Sequence, residues 1–490
     1  MFKKTLILSL GLFAGLVCSS SLLAQPWERA YGNVATKDEG HRRVTPVVRC
    51  PGRGYIAIGS RNSASEVYLV RTDNAGANIW ERYFDVGADG QADEGFSLVE
   101  LRDGSGFVTT GTSTRGLQKT VHVMKVDCDG NLRQSFFYFP PFSTVATRAI
   151  GHDIREAAVG NGVTTNPGDL LIAGWIEFGG SQADAFLMRL DAGFNIIWNL
   201  RYDVGAVERF YGLTEARPNV VGGGDIIAVG DLSDSFTLPA QALAMRVDGN
   251  TGLITGGDHC MAHYGDAGEE NFQSVVEMRI QPQTGALTMA GLSTSPGQLQ
   301  DVYMVQTKGS PCSVLAQTTI GNDNGVYNEY ATDLIEVLIQ TDPSLGVPVG
   351  SLALTGGAEA NQTRQDAFLL FADQTLLSPL AARRYGDHRG GVDFGTSLQQ
   401  IQGSLIPVPR GFIVAGTTFT DWDGSADPQD LYLIQPNAAA STGCEERWHP
   451  KHEDWLWEPK RLDPHTFKVF EGEEVHTREY RDDTVVRVCN

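Results

Sequence analysis

Basic residues are the scarce class in this 490-residue chain: 38 Lys and Arg stand against 59 Asp and Glu, a formal charge of −21. A surface that acidic repels phosphate backbones and anionic lipid headgroups, which excludes nucleic acid as an expected partner. Long apolar runs are missing as well. Beyond residue 24 nothing approaches the ~18 uninterrupted apolar residues of a membrane span, so the mature chain is expected to carry no transmembrane segment. Cysteine is sparse, with seven copies, none of them in a CxxC or a Cys/His zinc spacing. No convincing helical period of apolar residues recurs along the chain. There is no GxSxG elbow, no phosphate-binding glycine loop and no aromatic–basic strip. These absences leave no residue assigned to catalysis.

The N-terminus, "MFKKTLILSLGLFAGLVCSSSLLAQPW", has the parts of a secretory signal: Lys3 and Lys4, the apolar run Leu6 to Val17, and small residues leading to Ala24. Residues 1–24 are expected to be removed, leaving Gln25 first and placing the protein outside the cell or at its surface, with the periplasm as the alternative. Cys18 does not make a lipoprotein signal, because Val17 and Gly15 stand where a small residue and a leucine are wanted. Six cysteines remain: Cys50, Cys128, Cys260, Cys312, Cys444 and Cys489. An even count in an exported chain suits disulfides. Cys444 and Cys489 bracket the tail and are expected to pair; the sequence leaves the other four open.

Glycine is abundant, with 56 copies, and its spacing is regular. Short β-type runs end in glycine at Gly59, Gly111, Gly174, Gly230, Gly291, Gly356 and Gly416 ("YIAIG", "FVTTG", "LLIAG", "IIAVG", "LTMAG", "LALTG", "FIVAG"). A second landmark follows each one: "EVYLVRTD", "TVHVMKVD", "DAFLMRLD", "QALAMRVD", "DVYMVQTK", "DAFLLFAD" and "DLYLIQPN". A third is an aromatic strand near a glycine, as in "WERAYG", "WERYFDVG" and "WNLRYDVG". About four strand-like runs per unit, at a period of ~50–60 residues, fit a β-propeller blade. The chain is therefore expected to be all-β: a seven-bladed β-propeller over residues 25–443 with a small C-terminal β extension at 444–490. The seventh unit lacks a fourth strand, while "WERAYG" at residues 27–32 is left over. That N-terminal strand is expected to close the ring.

The pattern "W..RYxG", then "GxxxxG", then "DxYLxxxDxxGN" resembles the secreted β-propeller repeats common in exported proteins of Bacteroidota. The resemblance spans residues 27–437. It implies the fold, and it implies surface, adhesive or uncharacterised exported roles without a defined activity.

Several local motifs resemble known sites but also fit plain turns. "VRTDNAGANIW" has Thr72 and Asp73 adjacent with Gly76 three further on, which breaks the register of an Asp-box. "VDGNTGLIT" has the Asp248, Thr251 and Gly252 of a quinone-cofactor repeat but lacks its tryptophan. Both read as strand–turn–strand, with Trp80 packing between blades. "DWDGSADPQD" offers Asp421, Asp423, Asp427 and Asp430 as a calcium loop, since alternating carboxylates around a glycine can converge on Ca²⁺. "GADGQADEG" (Asp89, Asp93, Glu94) is a lesser case. His449, His452, Glu453 and His388 have no completing partners. Trp448, Trp455 and Trp457 in the tail are candidate contact residues. The expected role is a non-catalytic binding or scaffold module for protein or glycan, acting through the inserts "FPPFSTVATRAIGHD", "DLSDSFTLPAQ" and "TFTDWDGSADPQD". The alternatives are a glycoside hydrolase or lyase at the propeller mouth and a periplasmic assembly scaffold.

Overall fold

The computed structural model describes residues 26–442, apart from short connections between strands, and residues 457–462 and 469–470. It is all-β; a single 3-10 turn at Pro343–Leu345 interrupts the strands among the described residues. Strand β1 (Trp27–Tyr31) stands first, and antiparallel meanders of four follow. The first unit is β2 (Asp38–Pro46), β3 (Tyr55–Arg61), β4 (Glu66–Thr72) and β5 (Asn78–Phe84). The second is β6 (Asp93–Glu100), β7 (Phe107–Arg115), β8 (Gln118–Val126) and β9 (Leu132–Tyr138). The third is β10 (Thr147–Glu156), β11 (Leu170–Phe178), β12 (Gln182–Leu190) and β13 (Ile196–Tyr202). The fourth is β14 (Val207–Glu215), β15 (Ile226–Ser233), β16 (Gln241–Val247) and β17 (Met261–Tyr264). The fifth is β18 (Glu269–Glu277), β19 (Leu287–Thr294), β20 (Gln300–Thr307) and β21 (Val314–Asn322). The sixth is β22 (Glu329–Glu336), β23 (Leu352–Asn361), β24 (Arg364–Ala372) and β25 (Pro379–Tyr385). A last set, β26 (Asp393–Gln400), β27 (Phe412–Thr418) and β28 (Asp430–Gln435), takes β1 as its fourth strand, with Trp27 opposite Gln435 and Tyr31 opposite Leu431. In the tail, β29 (Trp457–Leu462) runs antiparallel to β21, and β30 (Val469–Phe470) to β29. The whole is consistent with a propeller-like fold.

The second and third strands of each unit are near-continuous apolar runs because both their faces are covered. Apolar clusters lie between consecutive units. Ile58, Leu69 and Trp80 of the first meet Leu98, Phe107 and Met124 of the second. The same happens between the last set and the first unit, where Leu431, Leu433, Ile413 and Tyr31 meet Tyr55, Tyr68 and Val70.

The glycine landmark has a steric cause. Every first strand carries a β-bulge next to the residue that pairs with the landmark glycine: Gly95 opposite Gly111, Gly151 opposite Gly174, Phe210 opposite Gly230, and so on around the chain. The bulge pushes a carbonyl into the space where a Cβ would sit. A Cβ on Gly174 would lie 1.8 Å from the Ile150 carbonyl oxygen, and one on Gly230 would lie 1.7 Å from that of Arg209. On the third strand a large side chain covers each glycine: Tyr68 opposite Gly59, Phe186 opposite Gly174, Tyr432 opposite Gly416.

The turn in "VRTDNAGANIW" has a clamp on it. Asp73 accepts the Ala75 and Ala77 amides, each at 2.8 Å, and Gly76 takes φ +72°. From the neighbouring sheet Trp27 donates Nε1–H to the Asn74 carbonyl at 3.2 Å, and Tyr31 donates its hydroxyl to the Gly76 carbonyl at 2.6 Å. Trp198 and Tyr202 of the third unit hold Gly249 and Gly252 of the fourth in the same way, at 3.3 and 2.6 Å. Trp80 reaches the Cys128 carbonyl of the second unit at 3.1 Å. Each tryptophan lies over the turn glycine: an added Cβ would stand 2.8 Å from the Trp27 ring at Gly76 and 3.0 Å from the Trp80 and Trp198 rings at Gly130 and Gly252. Two disulfides reinforce these junctions: Cys50–Cys128 joins the first and second units, and Cys260–Cys312 the fourth and fifth.

Candidate functional site

The first strands of five units converge on one small polar cavity. It is lined by Arg43 on β2, His152, Asp153 and Arg155 on β10, Tyr211 on β14, Gln273 and Ser274 on β18, and Thr332 and Asp333 on β22. The bulges aim these side chains inward, since each re-orients the residue it follows. The position just after the bulge reads Arg43, Ser97, Asp153, Gly212, Ser274, Asp333 and Ser397 around the chain.

Both carboxylates in this set are buried and saturated. Asp153 accepts Ser97 Oγ at 2.7 Å, the Ile154 amide at 3.0 Å and the Leu213 amide at 3.1 Å, and Arg155 stands 3.3 Å away. Asp333 accepts Ser274 Oγ at 2.8 Å, Ser397 Oγ at 3.2 Å, and the Leu334 and Leu398 amides at 2.9 and 2.8 Å. Each therefore pins the first strands of neighbouring units. Burial pushes the Asp153 carboxyl upward; Arg43, Ser97 and the Leu213 amide oppose that shift, and Asp333 adds to it.

An aromatic group adjoins the cavity. His152 packs against Phe96, Trp175 and Tyr211, with ring centroids 5.2, 5.1 and 5.3 Å away. Tyr211 donates its hydroxyl to Asp231 at 3.0 Å, and Arg209 lies 3.5 Å from the same carboxylate. Burial raises the Asp231 carboxyl to about 6, against the pull of Arg209 and Tyr211.

A further repeat, of three glutamates and a glutamine, closes the other end of the first strands. Glu100 accepts the amides of Val48, Arg49 and Cys50, each at 2.9 Å. Glu156 takes Arg102 at 2.8 Å, Glu336 takes Ile280 at 2.7 Å, and Gln400 takes Leu338 at 2.8 Å. Neither the pins nor these caps were read from the sequence. Their signal is nonetheless present: Ser or Asp three residues before Glu or Gln in "SLVE", "DIRE", "SVVE", "DLIE" and "SLQQ".

Of the calcium-loop residues, Asp430 opens β28, buried and opposite Thr418, while Asp421, Asp423 and Asp427 lie outside the described residues. Asp89 is also outside them, whereas Asp93 accepts the Val86 amide at 2.6 Å and Glu94 pairs with Lys119 at 3.0 Å. Trp457 begins β29 opposite Asn322; Trp448, Trp455, Cys444, Cys489, His388, His449, His452 and Glu453 lie outside the described residues. The three inserts share one feature. The strand ends that flank them, β9 to β10, β15 to β16 and β27 to β28, all lie at the end of the units where first and third strands begin.

No family model matches the chain, and no curated protein matches it. Similar solved structures include Chaetomium thermophilum Sqt1 bound to the N-terminus of ribosomal protein L10 (11% identity, 81% of this chain and 96% of that one, TM-score 0.41). Also similar are a Synechocystis apocarotenoid oxygenase (14%, 69% and 70%, TM-score 0.37) and a glucose dehydrogenase (12%, 69% and 96%, TM-score 0.38). Overlaps this loose decide neither fold nor function; the strand pairing carries the fold. No helix among the described residues is long and apolar enough to cross a membrane.

Proposed function

We propose that the chain is an exported seven-bladed β-propeller, closed by β1, that works as a non-catalytic binding or scaffold module for a protein or glycan. The observation that carries the non-catalytic reading is the saturation of Asp153 and Asp333 by donors from neighbouring strands. A carboxylate whose lone pairs hold serine hydroxyls and backbone amides is not poised as a nucleophile or a general base. The β1–β28 pairing and the Trp27 and Tyr31 clamps support closure. The binding face in this reading is the end that carries the three inserts. A calcium ion on Asp421, Asp423, Asp427 and Asp430 would order one of them, and the tail tryptophans would add a second contact surface.

The test is a pull-down from the native cell surface combined with a glycan array, repeated with the 420–429 insert replaced by a short Gly-Ser linker. Capture of a defined protein or glycan that is lost with the insert supports the reading. Turnover of a polysaccharide by the intact chain sinks it in favour of a carbohydrate-active enzyme. One observation favours that second reading: Asp231, raised to about 6 and bonded to Tyr211 at the cavity wall, has the protonation range of a general acid. Loss of such turnover in D231N would establish it.

A further inference from the structure

We propose that Asp225, Asp248 and His259 bind a divalent transition metal ion of the Zn²⁺ class. In the first three units the connection between third and fourth strands is a tight Asp-led turn, Asp73–Ala77, Asp127–Asn131 and Asp191–Asn195, each closed by a hydrogen bond between its two ends. In the fourth unit it is longer, running from Asp248 past Thr255 and His259 to Cys260. The extra residues bring His259 over two carboxylates, and the Cys260–Cys312 disulfide anchors the chain immediately after it.

The histidine is oriented as metal-bound histidines are, with one ring nitrogen held and the other aimed at acids. Nδ1 meets Thr255 Oγ1 at 2.5 Å, and Nε2 lies 3.1 Å from Asp225 Oδ2. Asp225 is 8% exposed, and its Oδ2 also takes Arg246 at 2.9 and 2.7 Å. Among the described residues none bonds or pairs with its Oδ1. Asp248 uses Oδ1 for the Asn250 and Thr251 amides at 3.0 and 2.9 Å, and no described residue bonds its Oδ2. The third unit shows the contrast: both oxygens of Asp191 bond the Asn195 side chain. Donor atoms of Asp225, Asp248 and His259 lie within 4.8 Å of one another. Bonds of ~2.0–2.2 Å in a four-coordinate site place ligand atoms ~3.3 Å apart, so the loop closes by roughly 1.5 Å on binding. One imidazole with two carboxylates suits Zn²⁺; Ca²⁺ wants six to eight oxygens. Arg246 opposes the ion's charge and confines it to the Oδ1 side of Asp225.

The test titrates Zn²⁺ alone into the full mature chain by calorimetry and follows melting with and without the ion. One ion bound and a raised melting temperature are expected, with H259Q and D248N each weakening binding by at least about tenfold. Absence of saturable binding, or binding and melting shifts that survive both substitutions, overturns the proposal. A readout independent of variant folding is Co²⁺ bound to the wild-type chain. Intense visible d–d bands of a four-coordinate ion support the site, and their absence overturns it.

Discussion

His122 occupies the place on β8 that other units give to a large apolar or aromatic cover, opposite Gly111. It is fully buried, and among the described residues neither ring nitrogen has a well-formed hydrogen bond. Burial drops its pKa to about 4. A depressed histidine contributes stability that is present above its unfolded value and lost as pH falls through the folded one. H122F is therefore expected to remove about 3 kcal/mol of the acid destabilisation between pH 6.5 and 4. At pH 7 it should add about 1–2 kcal/mol, because two orphaned nitrogens disappear. Urea unfolding at stepped pH measures both effects. Asp231 has the opposite sign. Its raised carboxyl, about 6, favours the fold below the unfolded value of 3.8, and that contribution is lost as pH rises through 6. D231N should flatten a decline of roughly 3 kcal/mol between pH 4 and 6, and a difference curve without slope would refute this.

At the level of strands, the bulge and its glycine act as one device. Gly174→Ala sets a methyl against the Ile150 carbonyl, so strand pairing must shift at a cost of about 3 kcal/mol or more, read as a drop in the urea midpoint. The clamps are gentler. Y202F removes one hydrogen bond to Gly252 and should cost about 1 kcal/mol. W198F also loses the bond to Gly249 and part of its cover on the turn, for about 2 kcal/mol. These two residues grip the same turn, so the double mutant should depart from additivity; a strictly additive pair would mean the grips are independent.

Across the whole molecule, the proposed closed ring makes β1 indispensable. Removing residues 25–31 strips Trp27 and Tyr31 from the junction with the first unit and bares the edge of β28. Exposed edges recruit other chains, so the truncated protein should elute as oligomers in size-exclusion chromatography; a monomer with unchanged melting would contradict closure. The two disulfides among the described residues span 78 and 52 residues, and each should be worth about 4 kcal/mol, so a reductant should lower the melting temperature well below that of the oxidised chain.

Periodicity in the sequence determined that the chain is all-β and built of a repeated four-stranded unit. It did so because glycine, Asp-led turns and tryptophan recur wherever the backbone meets the same constraint. "VRTDNAGANIW" was legible as a turn for that reason: Asp73, Gly76 and Trp80 each answer to local geometry or to the adjacent unit. The tertiary structure alone decided which distant residues meet. Asp153 and Asp333 became pins because bulges on separate strands turn them toward a common cavity. Cys50 found Cys128, and Cys260 found Cys312, because consecutive units stack. Asp225, Asp248 and His259 came together because one turn is longer than its counterparts in the first three units. The Ser/Asp-x-x-Glu/Gln pattern marks the pins along the sequence, but which residues meet depends on how units pack rather than on how far apart they lie along the chain.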